Sequence, residues 1–166
     1  VVKEVFGRSK KDKKACEVYA VAAGKVIPVT EVKDEMFSEK LMGDGYAVLP
    51  IKGEVFAPIA GTIKSIFPTK HAIGIETENG IEVLLHMGVD TVELQGEPFE
   101  VLVKENQKIA KGDKVALMDI SKIEKAGKAT DLIVVFTNQE VVDEYKLAKS
   151  GASVEANEVI GTVSVK

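Results

Sequence analysis

Residues 71–92, HAIGIETENGIEVLLHMGVDTV, constrain the fold more than any other part of the chain. An Asn79-Gly80 pair stands there between two alternating apolar runs, the strongest short-range signal for a β-hairpin. A two-residue type I′ loop at Asn79 and Gly80 predicts that Glu78 pairs with Ile81 and His71 with Gly88. The same stretch holds His71 and His86, the only two histidines among 166 residues. In that register His86 lies two residues back from Gly88 along one strand. The two imidazoles then share a face as diagonal neighbours, roughly 7–8 Å apart or less. A loop one residue longer would send them to opposite faces, because side chains alternate with a period of two.

The rest of the chain reads as short strands broken by Gly and Pro. Residues 17–29 (EVYAVAAGKVIPV) are β-rich, and residues 33–45 (KDEMFSEKLMGDG) are too short for a long helix. YAVLPI, GEVFAP and GTIKSIF follow within residues 46–67, and beyond the hairpin come PFEVLV, KVALMD, DLIVVF and VIGTVSV. Residues 120–128 (ISKIEKAGK) allow one or two helical turns. Many short strands at regular spacing predict an all-β fold, an antiparallel β-sandwich or barrel-sandwich hybrid with short helical turns only. Few strands alternate cleanly, which is the pattern of strands covered on both faces. An echo at an offset of 45 residues aligns Ile109, Gly112, Asp113 and Val115 with Val154, Asn157, Glu158 and Ile160. Gly112 and Asn157 both tolerate left-handed backbone, so a duplicated strand-turn-strand motif is expected.

Charge divides the chain unevenly. Residues 1–16 hold six basic and two acidic side chains, and the formal net charge of the whole is −4, so the body is strongly acidic. Such a body argues against nucleic-acid binding, which depends on neutralising phosphates. Arg8 is the only arginine and no P-loop pattern occurs, so a bound nucleotide triphosphate is not expected. Residues 1–16 read as a basic flexible leader or linker, which could also touch anionic lipid or a partner, and residues 17–166 as one domain. A single cysteine, Cys16, no secretory leader and no apolar run of membrane-spanning length point to the cytoplasm.

Three chemistries fit two neighbouring histidines. They can be purely structural. They can bind metal, although zinc wants three or four ligands and no His-x-His or His-Glu-x-x-His pattern is present. Or one can be a nucleophile towards phosphorus, its tautomer fixed at the other nitrogen, while its neighbour donates to the developing phosphoryl charge. The residues alone leave all three open.

Residues 80–92, Gly80 through LLHMG to Thr91 and Val92, closely resemble the signature of the glucose-type IIA component of the bacterial sugar phosphotransferase system. The similarity extends over FSEKLMGDG, FAPIAGTI, TKHAIGI and IAKGDKV, about residues 18–164. The resemblance implies a β-sandwich phosphocarrier that takes a phosphoryl group from phospho-HPr and passes it to the cysteine of a sugar permease's IIB domain. By the same resemblance His86 matches the acceptor, reacting through Nε2, and the Gly88 carbonyl its tautomer-fixing partner. His71 matches the companion that steadies the phosphoryl group, and Thr69 the hydroxyl that orients it. An apolar docking rim of Met36, Phe37, Phe67, Leu84 and Val92 is implied, flanked by Asp34 and Asp90. Leu84 stands where the family often has an aromatic residue. No cofactor is expected, and zinc only as a bridge between His71, His86 and a partner. Regulatory targets would use the same surface. The competing readings are a zinc-dependent hydrolase of related architecture and a purely regulatory binding domain.

Overall fold

Short apolar strands and the turns between them produce an antiparallel β-sandwich. The computed structural model describes residues 15–166. In chain order the strands are β1 (Ala15–Tyr19), β2 (Gly24–Pro28), β3 (Asp44–Pro50), β4 (Glu54–Phe56), β5 (Gly61–Ile66), β6 (Ala72–Glu76) and β7 (Glu82–Val89). They continue with β8 (Phe99–Val101), β9 (Lys108–Ile109), β10 (Lys114–Met118), β11 (Ala129–Phe136), β12 (Val142–Leu147), β13 (Ser153–Val154) and β14 (Val159–Val165). Two short helices interrupt them, α1 (Glu35–Ser38) and α2 (Ile120–Lys125). An eight-stranded sheet in the order β13-β2-β3-β11-β7-β6-β5-β9 faces two three-stranded sheets, β1-β14-β12 and β4-β10-β8. Among the described residues every ladder is antiparallel.

Strand β11 shows why the central strands read as continuous apolar runs. Its Leu132, Val134 and Phe136 enter the main core, with Ile73, Ile75, Leu85 and Met87 of the neighbouring strands. Its Ile133 and Val135 enter a second, smaller cluster on the opposite face, with Val29, Phe37, Ala72 and Leu84. That second face is covered by α1 and by the 3-10 turn Val29–Glu31. The site lies on this face, at the middle of the large sheet.

The apolar stretch of residues 17–29 divides into two strands that belong to different sheets, β1 pairing with β14 and β2 with β3. Ala15 and Cys16, the last two residues on the basic side of the boundary drawn from charge, pair with Ser164 and Val163 of β14. The basic leader, with its proposed contact to lipid or a partner, otherwise lies outside the described residues. The echo at offset 45 corresponds to β9-turn-β10 and β13-turn-β14, with Gly112 at φ 93° and Asn157 at φ 72°. In both turns a backbone N–H reaches the side chain three residues on, Ala110 to Asp113 at 2.9 Å and Glu155 to Glu158 at 2.8 Å.

The hairpin forms, but with a different register. Ala72 faces His86 and Glu76 faces Glu82, so Thr77 and Ile81 close a three-residue loop. A type I′ turn would need positive φ at both Asn79 and Gly80, and of the two only Gly80 has it, at 92°. Thr77 selects the longer loop. Its N–H donates to the Ile81 carbonyl at 2.9 Å, its Oγ1 accepts from the Ile81 N–H at 2.9 Å, and the Gly80 N–H donates to its carbonyl at 3.0 Å. A turn ending on a left-handed residue is the favoured geometry for a three-residue hairpin loop.

Candidate functional site

The shorter loop predicted His71 opposite Gly88; the observed one sets it opposite Met87, whose N–H donates to the His71 carbonyl at 2.7 Å. Strict alternation would now separate the two imidazoles, yet their ring centroids are 5.0 Å apart, edge to face at 77°. The alternation does not apply, because His71 precedes the first residue of β6 and follows Lys70, whose φ is 59°. It is the last residue of a tight turn pinned by Phe67 N–H to the Ala72 carbonyl at 3.0 Å and Lys70 N–H to the Phe67 carbonyl at 2.7 Å. The left-handed step turns its side chain onto the face that carries His86.

Each ring is fixed at Nδ1. His86 Nδ1 lies 2.8 Å from the Gly88 carbonyl. A carbonyl can only accept, so Nδ1 carries the proton and Nε2 carries the lone pair. His71 Nδ1 lies 2.6 Å from Thr69 Oγ1. When that hydroxyl donates, the His71 proton sits on Nε2 and becomes a hydrogen-bond donor. Burial pushes the His86 pKa below the ordinary histidine value, and the neighbouring His71 pushes the same way. The Gly88 carbonyl, Asp34 and Asp90 act in the opposite sense. Burial also lowers that of His71, which is 7% exposed. Both rings are thus biased towards the neutral form that a nucleophile requires.

Two phenylalanines flank the pair. Phe37 stands 5.1 Å from His86 and Phe67 stands edge-on 5.4 Å from His71, between ring centroids. Their exposures differ, and the expected rim divides accordingly. Met36, Phe67 and Val92 are 49%, 39% and 46% exposed. Phe37 and Leu84 present little surface. Both are buried in the second cluster, because α1 presses Phe37 onto the sheet and Leu84 points to the same face of β7 as His86. They form the floor under the histidines. Asp34 caps α1, accepting the Met36 N–H at 2.9 Å, and Asp90 is exposed at the end of β7 with φ 60°.

Sequence reasoning gave no role to Thr91, which is fully buried directly behind Gly88. The available signal was a hydroxyl residue three positions after a glycine whose carbonyl is needed. Among the described residues no group of three or more His, Cys, Asp or Glu side chains is placed to hold a metal ion. His71 and His86 offer two of the three or four ligands that zinc takes, so a third would have to come from a partner.

A β-sandwich whose sheet centre presents two adjacent imidazoles, each hydrogen-bonded at Nδ1 and biased towards the neutral form, suits a class of protein that carries a group on a histidine nitrogen. Residues 16–142 match the family model of the phosphoenolpyruvate-dependent sugar phosphotransferase system, EIIA 1. The glucose-specific EIICBA component of Streptococcus pneumoniae serotype 4 is 52% identical over 136 residues, covering 82% of this chain and 19% of that protein. The corresponding component of Staphylococcus carnosus is 48% identical over 121 residues, covering 73% of this chain and 18% of that protein. The chain therefore spans about a fifth of the length of these curated relatives. The solved glucose permease IIA from Mycoplasma capricolum superposes with a TM-score of 0.78 at 36% identity, covering 90% of this chain and 96% of that one.

The chain belongs to the EIIA 1 family of the phosphoenolpyruvate-dependent sugar phosphotransferase system. That family is described as part of a sugar phosphotransferase system, and the hydrolase reading has no support. Among the described residues no helix is long and apolar enough to cross a membrane.

Proposed function

We propose that His86 Nε2 is the phosphoryl acceptor, with phospho-HPr as donor and the cysteine of a permease IIB domain as recipient. The observation that carries this reading is the His86 Nδ1–H bond to the Gly88 carbonyl, which leaves the Nε2 lone pair as the nucleophile beside His71. The lone pair attacks phosphorus in the donor's phosphohistidine. The donor P–N bond breaks, and its electron pair returns to the donor imidazole. His71, held by Thr69, donates its N–H to a phosphoryl oxygen as charge shifts. In the second transfer the recipient thiolate attacks phosphorus, and the pair of the breaking P–N bond returns to His86 Nε2.

Two relatives are glucose-specific components, which favours glucose or a related sugar as the solute whose uptake this transfer drives. The work would then take place at the cytoplasmic side of the permease. Met36, Phe67 and Val92 exclude water at the docked surface, while Asp34 and Asp90 attract a basic partner. No cofactor takes part. A zinc ion shared by His71, His86 and a partner carboxylate would strengthen a complex without entering the transfer.

Incubation with phosphoenolpyruvate, enzyme I and HPr should load one acid-labile, base-stable phosphoryl group. His86→Ala should abolish loading. His71→Ala should still accept but pass the group to the IIB domain more slowly, on the order of a hundredfold. Normal labelling of His86→Ala sinks the assignment.

A further inference from the structure

We propose that Thr91 is a positioning residue for the two-histidine site. Its buried hydroxyl holds the peptide joining Met87 to Gly88 in the orientation that lets Gly88 fix the tautomer of His86. This rests on the reading of His86 as acceptor.

The segment after His86 leaves regular strand geometry. Gly88 has φ 84°, and the next ladder shifts register between Ala129 and Leu132, across from the same segment. An ordinary strand would aim the Gly88 carbonyl at a neighbouring strand; here it accepts from a side chain two residues back. A loosened ladder holds such a peptide poorly, so another restraint must do so. Thr91 supplies it twice. Its Oγ1 donates to the Met87 carbonyl at 2.5 Å, and its Cγ2 packs so close to Gly88 that a Cβ there would approach to 2.3 Å. Thr91 is wholly buried, which shields that hydrogen bond from competing water.

The hold reaches both rings. The Met87 N–H donates to the His71 carbonyl, its own carbonyl accepts from Thr91, and the following carbonyl accepts from His86. One hydroxyl therefore secures the short run of backbone that ties His71 to His86. Methyl and hydroxyl act separately: the methyl fills the space over Gly88, and the hydroxyl sets the Met87 peptide.

Thr91→Val keeps the shape without the hydroxyl, and Thr91→Ser keeps the hydroxyl without the methyl. The ¹⁵N resonances of the imidazole rings report the tautomer of unphosphorylated His86 directly, without any transfer assay. The wild type and Thr91→Ser should show one tautomer, protonated at Nδ1, and Thr91→Val a mixture. Phosphoryl acceptance from HPr should fall about tenfold in Thr91→Val and recover with serine. A folded Thr91→Val with a single tautomer, or a folded Thr91→Ser with a mixture, overturns the proposal. If Thr91→Val does not fold, the wild type still decides, because its Thr91 hydroxyl proton should exchange slowly enough to be observed, and rapid exchange counts against the hold. A wild type that accepts no phosphoryl group contradicts the acceptor reading and leaves the tautomer test standing.

Discussion

At the scale of residues, the site depends on keeping two imidazoles neutral and oriented. Burial lowers both pKa values below the ~6.5 of a free histidine, so the folded chain resists protons that the unfolded chain takes up. Stability should be unaffected by these groups above about pH 6.5, fall as pH drops towards the lowered folded values, and level off below them. Melting temperature against pH measures this, and a His71→Gln, His86→Gln variant should lose that part of the decline. An equal decline in the variant would assign it elsewhere. Gly88→Ala adds a Cβ at positive φ against Thr91, and should cost about 2 kcal/mol or more in urea unfolding. A loss under ~0.5 kcal/mol would show that the segment relaxes freely. His71 and His86 were legible from the sequence as a pair because no other histidine competes with them. The hydroxyl of Thr91 was not, since its place three residues after Gly88 does not by itself distinguish a threonine that bonds backbone from one that fills space.

At the scale of elements, the hairpin was legible and its register was not. Asn79-Gly80 signals a turn, but the loop length is set by Thr77, whose side chain and backbone both bond Ile81. The histidines still meet because the turn before β6, with its left-handed Lys70, compensates for the slip. Strand β12 escaped notice for a different reason. VDEYKL carries Asp143, Glu144 and Lys146, poor strand formers in general, and forms an edge strand where charge is tolerated. The duplicated turn was legible through Gly112 and Asn157, and the structure adds a third copy over residues 104–107 with Asn106 at φ 72°. If the left-handed position alone is what these turns need, Gly112→Asn should change stability by less than about 0.5 kcal/mol. Gly112→Val should cost about 1–2 kcal/mol, read from urea midpoints. Equal losses would mean that the turn depends on glycine itself.

At the scale of the molecule, the sandwich sets a small reactive surface on a rigid sheet. The all-β class followed from strand spacing and turns, whereas the difference in exposure among Met36, Phe37, Phe67, Leu84 and Val92 did not. Burial of Phe37 and Leu84 arises from packing of α1 against the sheet, a contact between elements that local pattern does not encode. The exposed remainder, Met36, Phe67 and Val92, should carry partner docking. Replacing Phe67 or Val92 by Glu should raise KM for phospho-HPr about tenfold while leaving the melting temperature nearly unchanged. An unchanged KM would move the docking surface elsewhere. The account as a whole turns on one nitrogen. After loading from phosphoenolpyruvate through enzyme I and HPr, ³¹P and ¹⁵N spectra of the protein should place a single phosphoryl group on Nε2 of His86. A phosphoryl group on Nδ1, on His71 or on no histidine at all would contradict it.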